Sequence, residues 1–179
     1  PFQRPWLGRP WAFCHNGDLK DFHPPLDAHH QPAGSTDSER AFCWLLQQLD
    51  QRLQAQRPQV GWRTLAPLLA GLAAEVAQHG PFNFLLSDGA AVYAHCSTRL
   101  HWLLRRHPFG PARLIDADLT LDLSRENAPA DRMVVLATEP LTHGEDWVAM
   151  APGELFVFAA GEMVWRQRSR SCGRSLSPA

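Results

Sequence analysis

The four residues His15-Asn16-Gly17-Asp18 place an imidazole, an amide, a bare backbone and a carboxylate side by side, directly after the apolar run Trp11-Ala12-Phe13-Cys14. That run suits half of a buried strand, and its abrupt end would deliver polar groups to a sheet edge. Gly17 has no Cβ, so its N–H can approach a ligand closely and its φ can be positive. Asn16 offers a side-chain NH2 beside it. Two donors converging on one point are what a developing oxyanion requires. Asn-Gly is also the signature of a tight hairpin turn, and these two residues alone leave both readings open.

A second polar cluster follows a short loop later, at Gly34-Ser35-Thr36-Asp37-Ser38-Glu39. Thr36 with Glu39 three residues on forms a capping box, and it opens a run with Phe42, Leu45, Leu46, Leu49 and Leu53 on one face. Asp37 then lies in the first turn of a helix, where free N–H groups and the helix dipole favour a carboxylate. Helix-end electrostatics accounts for Asp37 by itself. Taken together, the aromatic strand, His-Asn-Gly-Asp, the loop, Gly-Ser-Thr-Asp-Ser-Glu and the amphipathic helix resemble the class II glutamine amidotransferases, and more narrowly their stand-alone bacterial branch. Pro1-Phe2, Asn83-Phe84-Leu85-Leu86-Ser87-Asp88-Gly89, Tyr93-Ala94-His95-Cys96-Ser97-Thr98-Arg99, Ala137-Thr138-Glu139-Pro140-Leu141-Thr142 and Ala151-Pro152-Gly153-Glu154-Leu155 extend the resemblance to about Val164.

The resemblance implies an α+β fold, a four-layer α-β-β-α sandwich of the N-terminal-nucleophile hydrolase type. It also implies an activity, hydrolysis of the glutamine side-chain amide with release of ammonia. By matched motif, Asn16 and the Gly17 N–H would form the oxyanion hole, and Asp37 and His15 would bind substrate, Asp37 pairing with its α-ammonium. The family's nucleophile is an N-terminal cysteine, whereas this sequence begins with Pro1. The expectation is therefore a chain truncated at its N-terminus and a sandwich incomplete there, with exposed edges and marginal stability. Cys14 is internal, lacks the α-amino base and is expected to face the core, so it is no substitute. The expected ligand is glutamine or another γ-glutamyl amide, with an unknown ammonia acceptor and no cofactor. The alternative is a catalytically inactive fragment that binds an amino acid or a partner.

At 179 residues, 45% hydrophobic and 20% charged, the chain suits one globular domain. A formal charge of -1 argues against general affinity for nucleic acid or an acidic membrane. No apolar run is long enough to span a bilayer. Cys14, Cys43, Cys96 and Cys172 lack C-x-x-C spacing and suit free thiols in a reducing cytoplasm. His23, His29 and His30 could invite a metal, but their segment is broken by prolines and reads as a solvated loop without a second ligand cluster. Arg99 to His107 sets basic residues around Trp102, yet without a wider basic surface it reads as a partly buried strand or turn with solvated or paired arginines. The carboxylates Asp116, Asp118, Asp122 and Glu126 alternate with leucines and mark a half-exposed strand edge rather than an acid–base pair.

Positioning these residues falls to elements with recognisable periods. Pro1 to Pro10 suggests an irregular lead-in to the first strand. Helices are expected from Thr36 to about Gln56, before Arg57-Pro58, and from about Thr64 to His79, before Gly80-Pro81. Phe82–Ser87 and Ala91–Cys96 form a hairpin around Asp88-Gly89, and Met133–Thr138 a buried strand. Trp147–Met150, Glu154–Phe158 and Met163–Trp165 suggest a closing meander. The domain thus spans 1–165, with 166–179 a disordered polar tail.

Overall fold

The computed structural model describes residues 1–53, 60–124 and 128–168. Its frame is a six-stranded antiparallel sheet in the order β1-β2-β3-β4-β11-β12. These strands are β1 (Phe2–Trp6), β2 (Arg9–Gly17), β3 (Phe82–Ser87), β4 (Ala91–Cys96), β11 (Glu154–Ala159) and β12 (Glu162–Arg168). Helices α1 (Asp37–Leu53) and α2 (Trp62–Val76) cover one face, and a short 3-10 turn, Ala77–His79, leads α2 back into β3. A three-stranded sheet, β10-β5-β8, lies against the other face; it comprises β5 (His101–Arg106), β8 (Arg132–Ala137) and β10 (Val148–Ala149). A second small sheet, β7-β6-β9, is built from β6 (Pro111–Leu114), β7 (Thr120–Asp122) and β9 (Thr142–His143).

Period-2 alternation explains how the central strands serve two cores at once. Trp11 and Phe13 of β2, Phe82, Phe84 and Leu86 of β3, Tyr93 of β4, and Leu155 and Val157 of β11 join the helices in the larger core. Ala94, Cys96, Phe156 and Phe158, one residue out of phase, meet Leu100 and Met150 in the smaller core between the sheets. Helix α1 contributes Phe42, Leu45, Leu46 and Leu49, and α2 contributes Leu65, Leu69 and Leu72. Phe13 stacks on Phe42 at 5.0 Å between ring centroids, fixing α1 over β2. The described residues therefore form three layers, α-β-β. No helix among them is long and apolar enough to cross a membrane.

Several expectations need correction. The lead-in is a strand: β1 pairs with β2 from Phe2↔Phe13 to Trp6↔Arg9, around a turn in which Leu7 and Gly8 have φ of 51° and 75°. Two positive φ values are the signature of the tight hairpin turn. Pro5 faces Pro10 in register, and an edge strand can accommodate a residue that donates no ladder hydrogen bond. Cys14 does not face the core but is exposed, because Trp11 and Phe13 claim the opposite face of the same strand. Strand β8 is not buried, since it forms the edge of a three-stranded sheet and none of its residues reaches full burial. The closing meander dissolves too, because β10 pairs with β5 while β11 pairs with β4 and β12. Strand β12 runs to Arg168, beyond the expected boundary at residue 165. The remainder of the expected tail, with Cys172, lies outside the described residues, as does any continuation of α1 to Gln56.

The basic stretch is a strand, and its arginines are paired. Arg105 donates to both carboxylate oxygens of Glu145 at 2.6 Å, and Arg106 meets Glu162 at 2.7 Å. Of the alternating carboxylates, Asp116, Asp118 and Asp122 fall on and around the exposed hairpin of β6 and β7, where Asp122 accepts from the Ser124 backbone N–H and hydroxyl, and Glu126 lies outside the described residues.

Candidate functional site

The hairpin turn is not what Asn16-Gly17 makes. Both residues continue β2 to its end, Asn16 opposite Asn83 and Gly17 opposite Phe82 on β3. Glycine is required there by contact. A Cβ on Gly17 would lie 1.8 Å from the Pro81 carbonyl oxygen and 2.7 Å from His15 Nε2. Gly80 meets the chain from the other side, where a Cβ would lie 2.1 Å from the Asp18 oxygen. The segments Gly17-Asp18 and Gly80-Pro81 thus cross with backbone against backbone.

His15 locks that crossing to the helix layer. Its Nε2 lies 3.0 Å from the Pro81 carbonyl, which can only accept, so Nε2 carries the proton. In the neutral ring Nδ1 then accepts from the Ser38 hydroxyl at 2.8 Å. The neighbouring Asp37 accepts from the Leu19 N–H at 2.9 Å through Oδ2 and from the Ser38 N–H at 2.7 Å through Oδ1. Burial alone would raise the Asp37 pKa; the backbone N–H groups of Leu19 and Ser38 lead the effects that outweigh it and hold the carboxyl below its ordinary value. An ionised Asp37 therefore ties the loop after β2 to the start of α1.

Half of the expected capping box is present. The Glu39 N–H donates to Thr36 Oγ1 at 3.2 Å, but the Glu39 carboxylate reaches past the Thr36 N–H to accept from the N–H groups of Ala33 and Gly34 and from Arg4. The histidine-bearing loop is pinned in the same manner. His30 reaches Asp27 through Nδ1 at 2.9 Å and Asp50 through Nε2 at 3.2 Å, beside a polar cleft of 480 Å³. Both nitrogens of His30 are thereby engaged by carboxylates.

A smaller cleft of 290 Å³ opens at the end of β2, between the six-stranded sheet and β8. Cys14, His15 and Asn16 line it with Asn83, Leu85, Leu100 and Thr138. Of the four residues singled out in the sequence, His15 and Asn16 border this cleft and Gly17 adjoins it. Asp37 is not among its lining residues and connects to it through Ser38 and His15. The volume is at the small end of ligand sites, and the lining combines apolar walls with a few polar groups. The neighbouring loop after β4 is held to the β8–β9 connection by Arg99, 2.6 Å from Glu139.

Asn83 was given no role by the sequence, although it stands in one of the stretches that carry the family resemblance. Its side chain is buried and saturated. Oδ1 accepts from the N–H groups of Ser97 (3.0 Å), Thr98 (3.0 Å) and Arg99 (3.3 Å), while Nδ2 donates to the Asn16 carbonyl (3.1 Å) and Thr98 Oγ1 (2.8 Å). The available signal was a lone amide inside the apolar strand Phe82–Ser87. Such a residue must find every partner internally.

Against known proteins, residues 1–178 match the family model described as glutamine amidotransferases class-II. The chain is 46% identical over 164 residues to "Putative glutamine amidotransferase YafJ" of Escherichia coli (strain K12), an alignment covering 92% of this chain and 64% of that protein. A predicted glutamine amidotransferase from Pseudomonas aeruginosa PA01, solved at 2.0 Å, superposes with a TM-score of 0.80 at 44% identity, over 92% of this chain and 64% of that one. The glutamine phosphoribosylpyrophosphate amidotransferase of B. subtilis, solved with ADP and GMP, shares the fold with a TM-score of 0.51 at 13% identity, over 93% of this chain and 30% of that one. The chain thus spans just under two thirds of the length of the first two relatives. These neighbours identify the architecture as the α+β sandwich of the N-terminal-nucleophile type.

Proposed function

We propose that this chain, which belongs to the class II glutamine amidotransferases, forms the oxyanion-binding and substrate-binding part of a site that hydrolyses the side-chain amide of glutamine. The observation that carries the proposal is the end of β2, where Asn16 borders a cleft and Gly17 is kept free of a side chain by contact with Pro81. Here the Asn16 amide and the Gly17 N–H donate to the oxygen of the tetrahedral intermediate. The attacking group is the thiolate of an N-terminal cysteine outside these 179 residues, with its own α-amino group as general base. Ammonia leaves, and water then hydrolyses the γ-glutamyl thioester. Asp37 is ionised and binds the substrate's α-ammonium with oxygen lone pairs that the Leu19 and Ser38 N–H groups leave open. His15 supports both by holding Ser38 and Pro81.

The free thiols of Cys14, Cys43 and Cys96 fit a reducing, cytoplasmic setting. The test is the N-terminal residue and intact mass of the protein made in its own cell, followed by an assay for ammonia from glutamine and from other γ-glutamyl amides. A free N-terminal cysteine and ammonia release that falls in Asn16→Ala would support the reading. A native chain without that cysteine that releases no ammonia would overturn it, leaving amino-acid binding as the function to test. Release from a different γ-glutamyl amide would keep the chemistry and change the substrate.

A further inference from the structure

The oxyanion reading leaves open what aims the Gly17 N–H. This N–H and the Asn16 carbonyl belong to one peptide group, and in a trans peptide the two point in opposite directions. Whatever fixes the carbonyl therefore fixes the donor. Asn83 Nδ2 reaches the Asn16 oxygen at 3.1 Å from the β3 side. The N–H is consequently directed to the opposite flank of β2. There the register with β1 ends at Phe2↔Phe13, so no described β1 residue is paired with Asn16 or Gly17.

The orientation of the Asn83 amide is itself determined. Three consecutive N–H groups, from Ser97, Thr98 and Arg99, surround one terminal atom, which must be the oxygen; the other is then the NH2 group, with both of its hydrogens used, on Asn16 O and Thr98 Oγ1. A hydrogen bond to the carbonyl also polarises the peptide and strengthens its N–H as a donor. Resting on the function proposed above, we propose that Asn83 is a positioning residue for catalysis: by holding the Asn16 carbonyl it aims and polarises the Gly17 N–H at the oxyanion.

Asn83→Asp in the full-length enzyme separates this role from simple loop anchoring. Aspartate keeps an oxygen for the three N–H groups but sets a second oxygen, instead of an NH2 group, against the Asn16 carbonyl. The expected result is a fall in kcat of about tenfold or more with KM changed less than about threefold, the pattern of an interaction made in the transition state. Thr98→Val, which removes the other partner of Nδ2 and leaves Asn16 alone, should stay close to wild type. Asn83→Ser serves as the test if the buried carboxylate prevents folding, with the same expected split between kcat and KM. Wild-type kcat in a folded Asn83 variant, or an equal loss in Thr98→Val, would overturn the proposal while the glutaminase reading survives. A full-length wild type without activity would overturn both.

Discussion

Asn16 and His95 show how differently two polar side chains of one sheet can act. Asn16 is exposed at the cleft, so its amide is available to a ligand rather than consumed by the fold. Losing one such donor typically raises a barrier by about 2.7–4 kcal/mol. Asn16→Ala should therefore lower kcat by two to three orders of magnitude, roughly, while KM for glutamine and the melting temperature stay near wild type. Steady-state ammonia release with a parallel thermal melt would check it. His95, by contrast, is buried between Phe82 and Phe84, its Nδ1 donating to the Phe82 carbonyl at 2.7 Å and its Nε2 without a partner among the described residues. Burial pushes its pKa down to about 4 from an ordinary 6.5, and the Phe82 carbonyl offsets this only in part. The unfolded chain takes up a proton as pH falls through 6.5, and the folded protein refuses it until about 4. The stabilising contribution is thus complete above 6.5 and declines as pH falls toward 4. Urea midpoints across that window should show the decline in wild type and a flatter profile in His95→Phe; an unchanged slope would place the acid sensitivity elsewhere.

Elements constrain one another through backbone contact more than through side-chain pattern, and the site depends on two such contacts. A methyl group at Gly17 has nowhere to go, with the Pro81 oxygen only 1.8 Å from its position. Gly17→Ala should destabilise the fold by more than about 3 kcal/mol, beyond the usual range for a single small substitution, as read from denaturant unfolding. At the start of α1, Glu39 is buried and holds Ala33, Gly34 and Arg4 together. Its desolvation is outweighed by those two N–H groups and Arg4, so its pKa lies below 4.5; its contribution is complete above 4.5 and is lost as pH falls below that value. Glu39→Ala should cost about 1–3 kcal/mol at neutral pH, the loss of part-buried hydrogen bonds to a charged group, as read from denaturant unfolding. The outlines of these elements were legible from apolar period, turn signals and the capping box: β3 and β4 fall on the anticipated residues, and α1 starts at Asp37, one residue past its cap. The crossing of Gly17 with Pro81 was not legible, because it joins residues 64 positions apart and neither glycine nor proline records which backbone it will touch. Strand β1 was hidden for a related reason. Pro5 and Pro10 argue against a strand until it is known that they face each other on a sheet edge. Asn16 and Gly17 were legible through motif, whereas Asn83 became visible only once its five hydrogen bonds were mapped.

At the scale of the whole molecule, the two faces of the central sheet are unequally supported. The helix-side core joins both helices to five strands of the sheet, whereas the inter-sheet core has six fully buried members, Ala94, Cys96, Leu100, Met150, Phe156 and Phe158. Beyond it, Ile115, Leu119, Leu121 and Leu141 are exposed around the sheet β7-β6-β9, and Met133 and Val148 lie exposed in the edge strands β8 and β10. At about 25 cal/mol per Å² of apolar surface removed from water, side chains left this open contribute little to holding their strands in place. Local opening should follow that division, since regions with few buried apolar contacts open at lower free energy than the global transition. Native-state hydrogen exchange of the 179-residue chain should show the strongest amide protection in β2, β3, β4 and β11, intermediate protection in β5, and the weakest in β6, β7 and β9. Uniform protection across the twelve strands among the described residues would mean that the small sheets unfold only with the helix-side core. Graded protection has a consequence for the site: Asn16 and Asn83 stand on the well-supported strands, while Leu136 and Thr138 on the far wall of the cleft belong to the weakly supported side. The donors would then stay fixed as the opposite wall moves, and ligand binding at this cleft should raise protection in β8 more than in β2 or β3.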